Sequence, residues 1–449
     1  MPALRALSKL VFSFLFLFPA FGGPAAGQDA EVNIAFTEGS QVARMRVRYP
    51  GPAASALTLS RRAEELRNVR LVEGVWSYDI DLAPPKGSAA SARSSWIGKG
   101  FALFVLDDLL PHPTRGQTGT ITTDLPAGWR IFATDATDLE QTVIVAGNSL
   151  RHHRIGVRGS TVDGLVSGEW AFTDHEARAA TDEVFRSFTR LFGGAPATRF
   201  QVTVAQFPMA VAAGSWEADT RGRSVVIMSS DTAFKSQSLQ RLHEQLRHEI
   251  FHFWLPNGVN LTGNYDWFYE GFALYQSLKL GVAVNRIRFD DYLDTLTRVY
   301  EIDRRTAARR SLTELSADRW TDDNNTLVYA RGMLTAFLCD LRMLAATNGR
   351  RSSDDLVREI YTRHRTPAAA QDGNSAVLAA MRRYDLGPIA DKLVTGAEQI
   401  ELEAYLRPAG LEYLSGDRSP RLRVIARPSS PQKRLLDRLG YNNWRKLAK

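Results

Sequence analysis

The chain has 449 residues, of which 44% are hydrophobic and 23% are charged. That length is ample for two or three domains with real cores, and the hydrophobic content is ordinary for a globular protein. The single cysteine, Cys339, excludes an intrachain disulfide and is expected to be a buried, inert thiol. The net charge of +7 says little about an active site, because much of the excess lies in the last thirty residues.

The first 27 residues have the pattern of a secretory signal. Arg5 and Lys9 precede the apolar run 10–18, and the small-residue stretch 24–27 predicts cleavage just before Gln28. The apolar run is too short to span a bilayer comfortably, so we expect no stable membrane insertion after its removal. Removal also takes away two cations and no acids, which lowers the net charge to +5. The pattern favours an exported bacterial protein, periplasmic or secreted.

Residues 28–168 are predicted to form an N-terminal all-β domain. Residues 42–49 alternate between apolar and charged side chains, as a strand with one buried face does. Residues 118–123, 129–134 and 142–146 repeat this pattern, and turns rich in Pro, Gly and Asp separate them. We find no catalytic constellation in this part of the sequence.

From residue 169 the character changes to a mixture of helices and strands. Residues 175–192 are amphipathic and end at Gly193-Gly194, a suitable helix stop. Residues 199–205 and 224–229 are predicted strands that precede a helix over 237–254. Strands before such a helix predict that 169–285 forms the α+β lobe of a thermolysin-like catalytic domain.

The remainder is predicted to be a helical C-terminal lobe, residues 286–415, followed by a basic tail, residues 416–449. One helix of the lobe begins at Ser352-Ser353-Asp354-Asp355, which supplies capping residues and early acids. The tail is expected to be solvated or loosely docked and can include a short helix from Lys433 onward, and its pattern gives no reason to expect nucleic-acid binding.

The segment His248-Glu249-Ile250-Phe251-His252 carries the chemistry of the sequence. On a helix the two histidines lie four positions apart and project from one face, where one zinc ion can take both imidazoles. Glu249 can act as general base toward a water at an open coordination position. Glu270 opens the next predicted helix and offers the third ligand, so we predict one Zn²⁺ on His248, His252 and Glu270.

The surroundings of the motif argue against two solvated histidines on an ordinary helix. The segment has a broad apolar surface formed by Leu239, Leu242, Leu246, Ile250, Phe253 and Trp254. Two histidines and a carboxylate on a largely buried helix need compensation for lost hydration, and a cation supplies it.

These residues resemble the gluzincin peptidases. Residues 270–275 resemble the E-G-F-A-x-Y phrase of the aminopeptidase N and leukotriene-A4-hydrolase family, and residues 329–332 resemble its Y-x-K-G phrase. The glycyl aminopeptidase family is more similar still, in H-E-x-F-H-x-W at 248–254, in the segment 405–411 that closes the domain, and in 125–129 of its N-terminal β domain.

The sequence departs from these families at three points. Seventeen residues separate His252 from Glu270, one fewer than in aminopeptidase N relatives. The chain leaves no room for the PDZ domain that usually follows the glycyl aminopeptidase catalytic region. The substrate-amine motif G-x-M-E-N appears only as Gly214-Ser215-Trp216-Glu217, without the final Asn.

The resemblance implies roles for several side chains around the metal. Tyr329 would stabilise the tetrahedral intermediate, and Gly214 and Glu217 would bind the free α-ammonium of a peptide. The residues themselves are equally consistent with Glu217 as a loop carboxylate before the strand that begins at residue 224. Arg331 would pair with Glu217 or meet a peptide carbonyl, and the sequence does not choose between these. A further acid is expected to support the histidines, and spacing alone names no candidate. Gly271, next to a ligand, is expected to permit close helix packing.

The function predicted first is that of a zinc aminopeptidase acting on short peptides. Two alternatives remain open: a thermolysin-like endopeptidase, which needs only the zinc residues and an open groove, and a scaffold that binds zinc without turnover. The sequence does not indicate the preferred side chain at the cleaved bond or the oligomeric state.

Overall fold

The computed structural model describes residues 29–50, 65–88, 90–111, 116–134, 137–307, 309–321, 324–415 and 420–443. The predicted signal segment lies outside these ranges. Within them, no helix combines the length and the apolar character that crossing a bilayer requires.

The N-terminal part is built from two packed β-sheets. In chain order its elements are β1 (Ala30–Ala35), β2 (Val42–Arg48), β3 (Leu66–Val72), β4 (Val75–Asp81), β5 (Trp96–Ile97), β6 (Phe101–Val105), α1 (Leu106–Leu109), β7 (Gly119–Asp124), β8 (Arg130–Ala133) and β9 (Val143–Gly147). One sheet has the order β3-β4-β2-β1-β7 and the other the order β5-β6-β9-β8. A core between them takes buried side chains from both sheets.

Strand β2 illustrates why the sequence forms this sheet. Ala43, Met45 and Val47 are fully buried, whereas the arginines between them are exposed. Successive side chains of a strand point to opposite faces, so this alternation holds one face on the core. The predicted N-terminal β domain is present.

A second group of elements contains a mixed sheet and two helices. Its members are β10 (Arg151–Val157), β11 (Ser160–Val166), α2 (Asp174–Phe192), β12 (Arg199–Gln206), β13 (Trp216–Arg221), β14 (Ser224–Ser229) and α3 (Lys235–Glu249). The order is β10-β11-β12-β14-β13, with β11, β12 and β14 parallel and β13 antiparallel at one edge. The sequence-based division assigned β10 and β11 to the N-terminal domain, but their hydrogen bonds join them to this sheet.

Helix α2 follows its sequence signals closely. The Thr173 side chain accepts a hydrogen bond from the Glu176 backbone N–H, and the Glu176 side chain accepts one from the Thr173 backbone N–H. The helix ends at Gly193, whose φ of 81° is the left-handed conformation that glycine adopts without strain. The predicted helix 175–192 is confirmed.

The zinc-motif helix is shorter than predicted. Regular α-helix stops at Glu249, and Ile250–Phe253, which contains His252, forms a 3₁₀ turn. Such turns are frequent at helix ends, and Pro256, which lacks an N–H, cannot continue a helix.

The C-terminal part is predominantly helical, as predicted. After the 3₁₀ turn come β15 (Leu261–Thr262), α4 (Asp266–Ala283), α5 (Phe289–Arg305), α6 (Leu312–Ala317), α7 (Asn324–Ala346), α8 (Ser353–His364), β16 (Gln371–Asp372), α9 (Gly373–Arg383), α10 (Gly387–Ile389), a π turn (Ala390–Val394), α11 (Glu403–Leu406) and a 3₁₀ turn (Arg407–Ala409). Ser352 and Asp355 form the capping box expected for α8, and Cys339 is buried and unpaired. One hydrophobic core joins the mixed sheet, α2, α3 and these helices.

The segment predicted to be a basic tail is folded over most of its length. Residues 420–443 contain β18 (Arg421–Val424), which pairs with β17 (Leu411–Leu414), and α12 (Ser430–Leu439). The leucines at 422, 435, 436 and 439 are buried in the core shared with the helices. Arginines and lysines dominate the composition here, but the leucines between them pack the segment against the helical core. The prediction of a solvated or loosely docked tail is therefore wrong for these residues.

Helices α4 and α7 touch backbone to backbone at two glycines. A Cβ atom on Gly271 would lie 2.3 Å from the carbonyl carbon of Gly332, and a Cβ on Gly332 would lie 2.5 Å from the Trp267 oxygen. Neither position has room for a side chain. The close packing predicted for Gly271 is confirmed, and it brings the start of α4 against the start of α7.

We expect Gly271→Ala and Gly332→Ala each to lower the free energy of unfolding by about 1–3 kcal/mol. Helix propensity alone would change it by about 1 kcal/mol in the opposite direction, so the sign of the effect tests the contact. Urea denaturation measures it. Gly194→Ala is the control, since a Cβ there meets nothing within 4 Å. Stabilisation of either helix variant would contradict the packing described.

Candidate metal centre

Three side chains from α3, the 3₁₀ turn and α4 converge on one point. His248 Nε2 lies 3.2 Å from His252 Nε2, and Glu270 Oε2 lies 3.3 Å from the first and 3.5 Å from the second. No other group of three or more potential metal ligands forms such a cluster within the described ranges. The three residues predicted as zinc ligands are therefore brought together.

The dimensions of this triangle fit a tetrahedral zinc ion. With zinc–ligand bonds of about 2.0–2.1 Å, neighbouring ligand atoms are separated by about 3.3–3.4 Å. Glu270 is 8% exposed, and its Oε2 accepts no hydrogen bond from the described residues. A buried carboxylate oxygen of this kind is costly unless a cation or donor faces it. Two imidazoles and one carboxylate are a donor set that zinc accepts, with a fourth position left open.

The hydrogen bonds around the ligands fix their orientation. His252 Nδ1 is 2.9 Å from the Leu255 carbonyl oxygen, so Nδ1 carries the proton and Nε2 turns its lone pair to the cluster. An acid was expected to support the histidines, but for His252 the backbone carbonyl of Leu255 accepts the hydrogen bond instead. Arg319 donates to the other oxygen of the Glu270 carboxylate at 3.0 Å, and this charge-assisted bond favours the anionic form that a metal ligand needs.

Glu249 lies between the ligands on α3 and is held by the mixed sheet. It is 6% exposed, and its Oε2 accepts a 2.6 Å hydrogen bond from the Thr220 hydroxyl. The same hydroxyl lies 3.1 Å from the Glu249 carbonyl oxygen. Thr220 belongs to the edge strand β13, so this strand runs beside the metal helix and fixes the carboxylate predicted to be the base.

Tyr329, near the start of α7, lies beside the same cluster. Its ring centroid lies 6.4 Å from that of His248. Arg319 Nη2 donates to the Tyr329 phenol oxygen at 2.9 Å and to Glu270 Oε1 at 3.0 Å. Burial and the charge of Glu270 raise the pKa of Tyr329 above its ordinary value, so the phenol keeps its proton and can donate it.

Glu217 does not face an open binding site. Its carboxylate accepts from the backbone N–H groups of Ala90, Ser91 and Ala92 at 2.7, 2.6 and 3.4 Å. The Arg93 guanidinium adds a fourth donor at 2.9 Å. Glu217 is 8% exposed and anchors this loop of the N-terminal part to β13. The prediction that it binds a substrate amine is not supported, because the chain's own donors already satisfy it.

Gly214 and Arg331 also lie outside the cluster. Gly214 has a φ of 81° and makes the turn before β13. Arg331 is 2% exposed, donates to Asp303 Oδ1 at 2.9 Å, and donates to the Glu398 carbonyl at 2.6 Å. On helix α7 the side chain two positions after Tyr329 points about 200° around the axis, into the protein interior. Arg331 pairs neither with Glu217 nor with a site for substrate.

Two residues that the fold places at the site were not predicted from the sequence. Arg319 lies in the turn after α6, ten positions before Tyr329, and no periodic pattern marks it. Thr220 is an ordinary residue on a short edge strand. Its one signal is its place three positions after Glu217, just beyond the segment compared with a substrate motif.

No protein-family model matches the chain, and no curated protein matches it. The fold nevertheless has solved counterparts. An aminopeptidase N family protein from Idiomarina loihiensis has a TM-score of 0.70 at 13% identity, over 90% of this chain and 82% of that chain.

Structures from Deinococcus radiodurans are similar as well. A variant of its M1 zinc metallopeptidase, bound to a Tyr-Ser-Ala substrate, has a TM-score of 0.57 at 14% identity, over 84% of this chain and 95% of that chain. Another structure of the M1 zinc metallopeptidase from this organism has a TM-score of 0.53 at 15% identity, over 84% of this chain and 94% of that chain. At these identities the comparison establishes the fold alone, which this chain shares with the aminopeptidase N family protein and with the M1 zinc metallopeptidase.

Proposed function

We propose that this chain is a zinc-dependent peptidase of the gluzincin kind, and that it removes N-terminal residues from short peptides. The observation that carries the proposal is the triangle formed by His248, His252 and Glu270, with Glu249 next to His248 in sequence and Tyr329 close to the His248 ring. The shared fold with M1 zinc metallopeptidases supports it. A scaffold without turnover would have no need of a complete set of ligands, base and phenol.

Zinc held by these three side chains would polarise the scissile carbonyl and lower the pKa of the attacking water toward neutrality. Glu249 accepts the proton of that water at the carboxylate and passes it to the leaving amine. The bond from Thr220 fixes the carboxylate in the geometry that proton transfer needs. Tyr329 donates its O–H to the carbonyl oxygen as negative charge builds there, a contribution of about 3 kcal/mol for one such donor.

We also propose that the mixed sheet, α3 and the helices form a thermolysin-like catalytic lobe. The edge strand β13 lies beside the metal helix with one side unpaired by any described strand. An extended peptide can add to such an edge through main-chain hydrogen bonds. A crystal structure with a peptide analogue tests this, since a peptide bound away from β13 would contradict it.

Export of the mature chain is a further proposal and rests on residues 1–27. N-terminal sequencing of the protein recovered from the periplasm or medium should begin at Gln28. Recovery of the intact N-terminus in the cytosol would contradict it.

An aminopeptidase needs an acceptor for the substrate α-ammonium, and Asp219 is a stronger candidate than Glu217 because fewer of the chain's own donors occupy its carboxylate. Asp219 precedes Thr220 on β13, has a side chain that is 29% exposed, and contacts Arg221 Nε at 3.3 Å. Burial raises the pKa of Asp219, and the nearby charge of Glu249 raises it further. A substrate ammonium would relieve both effects.

Glu249→Gln should lower peptide cleavage by about 10²–10⁴-fold while leaving bound zinc unchanged, because the amide cannot accept the proton. Metal content by atomic emission is the control, and a chelator should abolish the wild-type activity. Equal rates for variant and wild type would remove the proposed mechanism.

Tyr329→Phe should lower kcat by about 10²–10³-fold with little change in KM, because the lost donor acts on charge that develops in the transition state. Steady-state kinetics on one chromogenic peptide measures both constants. Tyr300→Phe, on α5, is the matched control and should behave as wild type. A change in KM alone would contradict the assigned role.

Asp219→Asn should reduce cleavage of a peptide with a free N-terminus and spare the same peptide when acetylated. Glu217→Gln should instead lower thermal stability and affect both substrates alike, since Glu217 holds residues 90–93. Comparable cleavage of free and acetylated peptides by the wild type would favour the endopeptidase alternative. Equal loss on both peptides in Asp219→Asn would exclude the amine-binding role.

A further inference from the structure

Arg319 is a buried arginine that joins the metal ligand to the phenol. It is 8% exposed and lies between α6 and α7. Besides its bonds to Glu270 and Tyr329, its Nη1 donates to Asp266 Oδ1 at 2.8 Å and its Nε donates to Asn325 Oδ1 at 2.9 Å. All three guanidinium nitrogens thus donate hydrogen bonds, and their partners lie on α4 and α7.

Two aromatic rings fix the plane of the same guanidinium. Its Cζ lies 4.6 Å from the centroid of the Trp320 ring and 5.3 Å from that of Tyr329. Both contacts are within the range of cation–π attraction. A planar group held by four acceptors and two rings has little freedom to turn, so it can fix the orientation of the side chains that it contacts.

The two oxygens of the Glu270 carboxylate have different partners. Oε1 accepts from Arg319, whereas Oε2 faces His248 and His252. A charge-assisted bond on one oxygen holds the plane of the carboxylate and favours metal contact through the other oxygen alone. Single-oxygen binding preserves the open coordination position that hydrolysis needs.

The bond to Tyr329 directs the phenol proton. The phenol oxygen accepts from Arg319, and a guanidinium has no acceptor to offer in return. The O–H hydrogen must therefore point away from Arg319. The Tyr329 ring centroid lies 6.4 Å from that of His248, and the other polar neighbour of the phenol is the Glu270 carboxylate, so the O–H is turned toward the metal cluster.

We propose that Arg319 is a positioning residue, which holds Glu270 for single-oxygen metal binding and aims the Tyr329 O–H at the substrate carbonyl. This inference rests on the proposed function. Arg319 touches neither metal nor substrate, and acts through the two residues that do.

The first test measures zinc affinity and needs no catalysis. We expect Arg319→Lys and Arg319→Gln to weaken zinc binding by about 10–100-fold, the usual effect of losing a partner of a metal ligand. Competition with a chromogenic chelator gives the dissociation constants. Lysine restores the charge but not the paired donors, so the loss in Arg319→Lys tests geometry.

Arg331→Lys is the matched control, since Arg331 is also buried and ion-paired but faces away from the site. We expect it to lower the melting temperature of the metal-free protein and to keep the wild-type zinc constant. Arg319 variants that lose melting temperature yet bind zinc as tightly as wild type would reduce Arg319 to a structural residue and overturn the inference.

The second test measures coupling to Tyr329 at saturating zinc. Arg319→Gln should lower kcat by about tenfold or more in the wild type and clearly less in Tyr329→Phe, because the aimed O–H is already gone. Equal factors in both backgrounds would overturn the assigned coupling. A wild type that binds zinc but cleaves no peptide would overturn the proposed function, and the zinc constants would then decide the role of Arg319 by themselves.

Discussion

The buried carboxylate of Glu270 is the constraint on which the site depends. An isolated anion in this position would be very costly, because the protein interior cannot replace its hydration. Arg319 compensates one oxygen, and the two imidazoles face the other. The arrangement leaves a place for one cation among three ligands. The same carboxylate therefore links the metal site to the tyrosine through one guanidinium.

Helix packing makes this arrangement possible. The backbone contact between Gly271 and Gly332 removes the side-chain layer that normally separates two helices. Glu270 precedes Gly271 by one position, and Tyr329 precedes Gly332 by three. The two side chains therefore lie close enough to accept hydrogen bonds from the same guanidinium, that of Arg319. Because one hydrophobic core joins the mixed sheet to these helices, the ligands rest on rigid elements rather than on loops.

The sheet contributes from the other direction. Thr220 on the edge strand donates a hydrogen bond to Glu249, and Glu217 on the same strand accepts hydrogen bonds from a loop of the N-terminal part. Strand β13 thus connects the N-terminal part to Glu249. Glu217, which the sequence resemblance assigned to substrate binding, instead holds a loop of the N-terminal part, so the proposal for amine binding names Asp219.

The side chains of the candidate site could be predicted because each belongs to a short segment with its own pattern. His248 and His252 are one helical turn apart, and this spacing carries its geometry with it. The C-terminal end of α2 and the start of α8 were equally predictable, since Gly193 and Ser352 act on the backbone next to them. The leucines of residues 420–443 were visible as well, but the many arginines obscured their helical spacing.

The partners of these residues could not be predicted, because long-range contacts leave no local pattern. Arg319 and Glu270 are 49 positions apart, and Glu217 and Ser91 are 126 apart. The sequence by itself determined which side chains can bind zinc, move a proton and donate to a carbonyl. Only the tertiary structure decided that Arg319 joins two of them, that Glu217 is occupied and that Arg331 turns inward. Local spacing fixes the chemistry of a helix face, whereas the packing of helices and strands selects the groups that meet it.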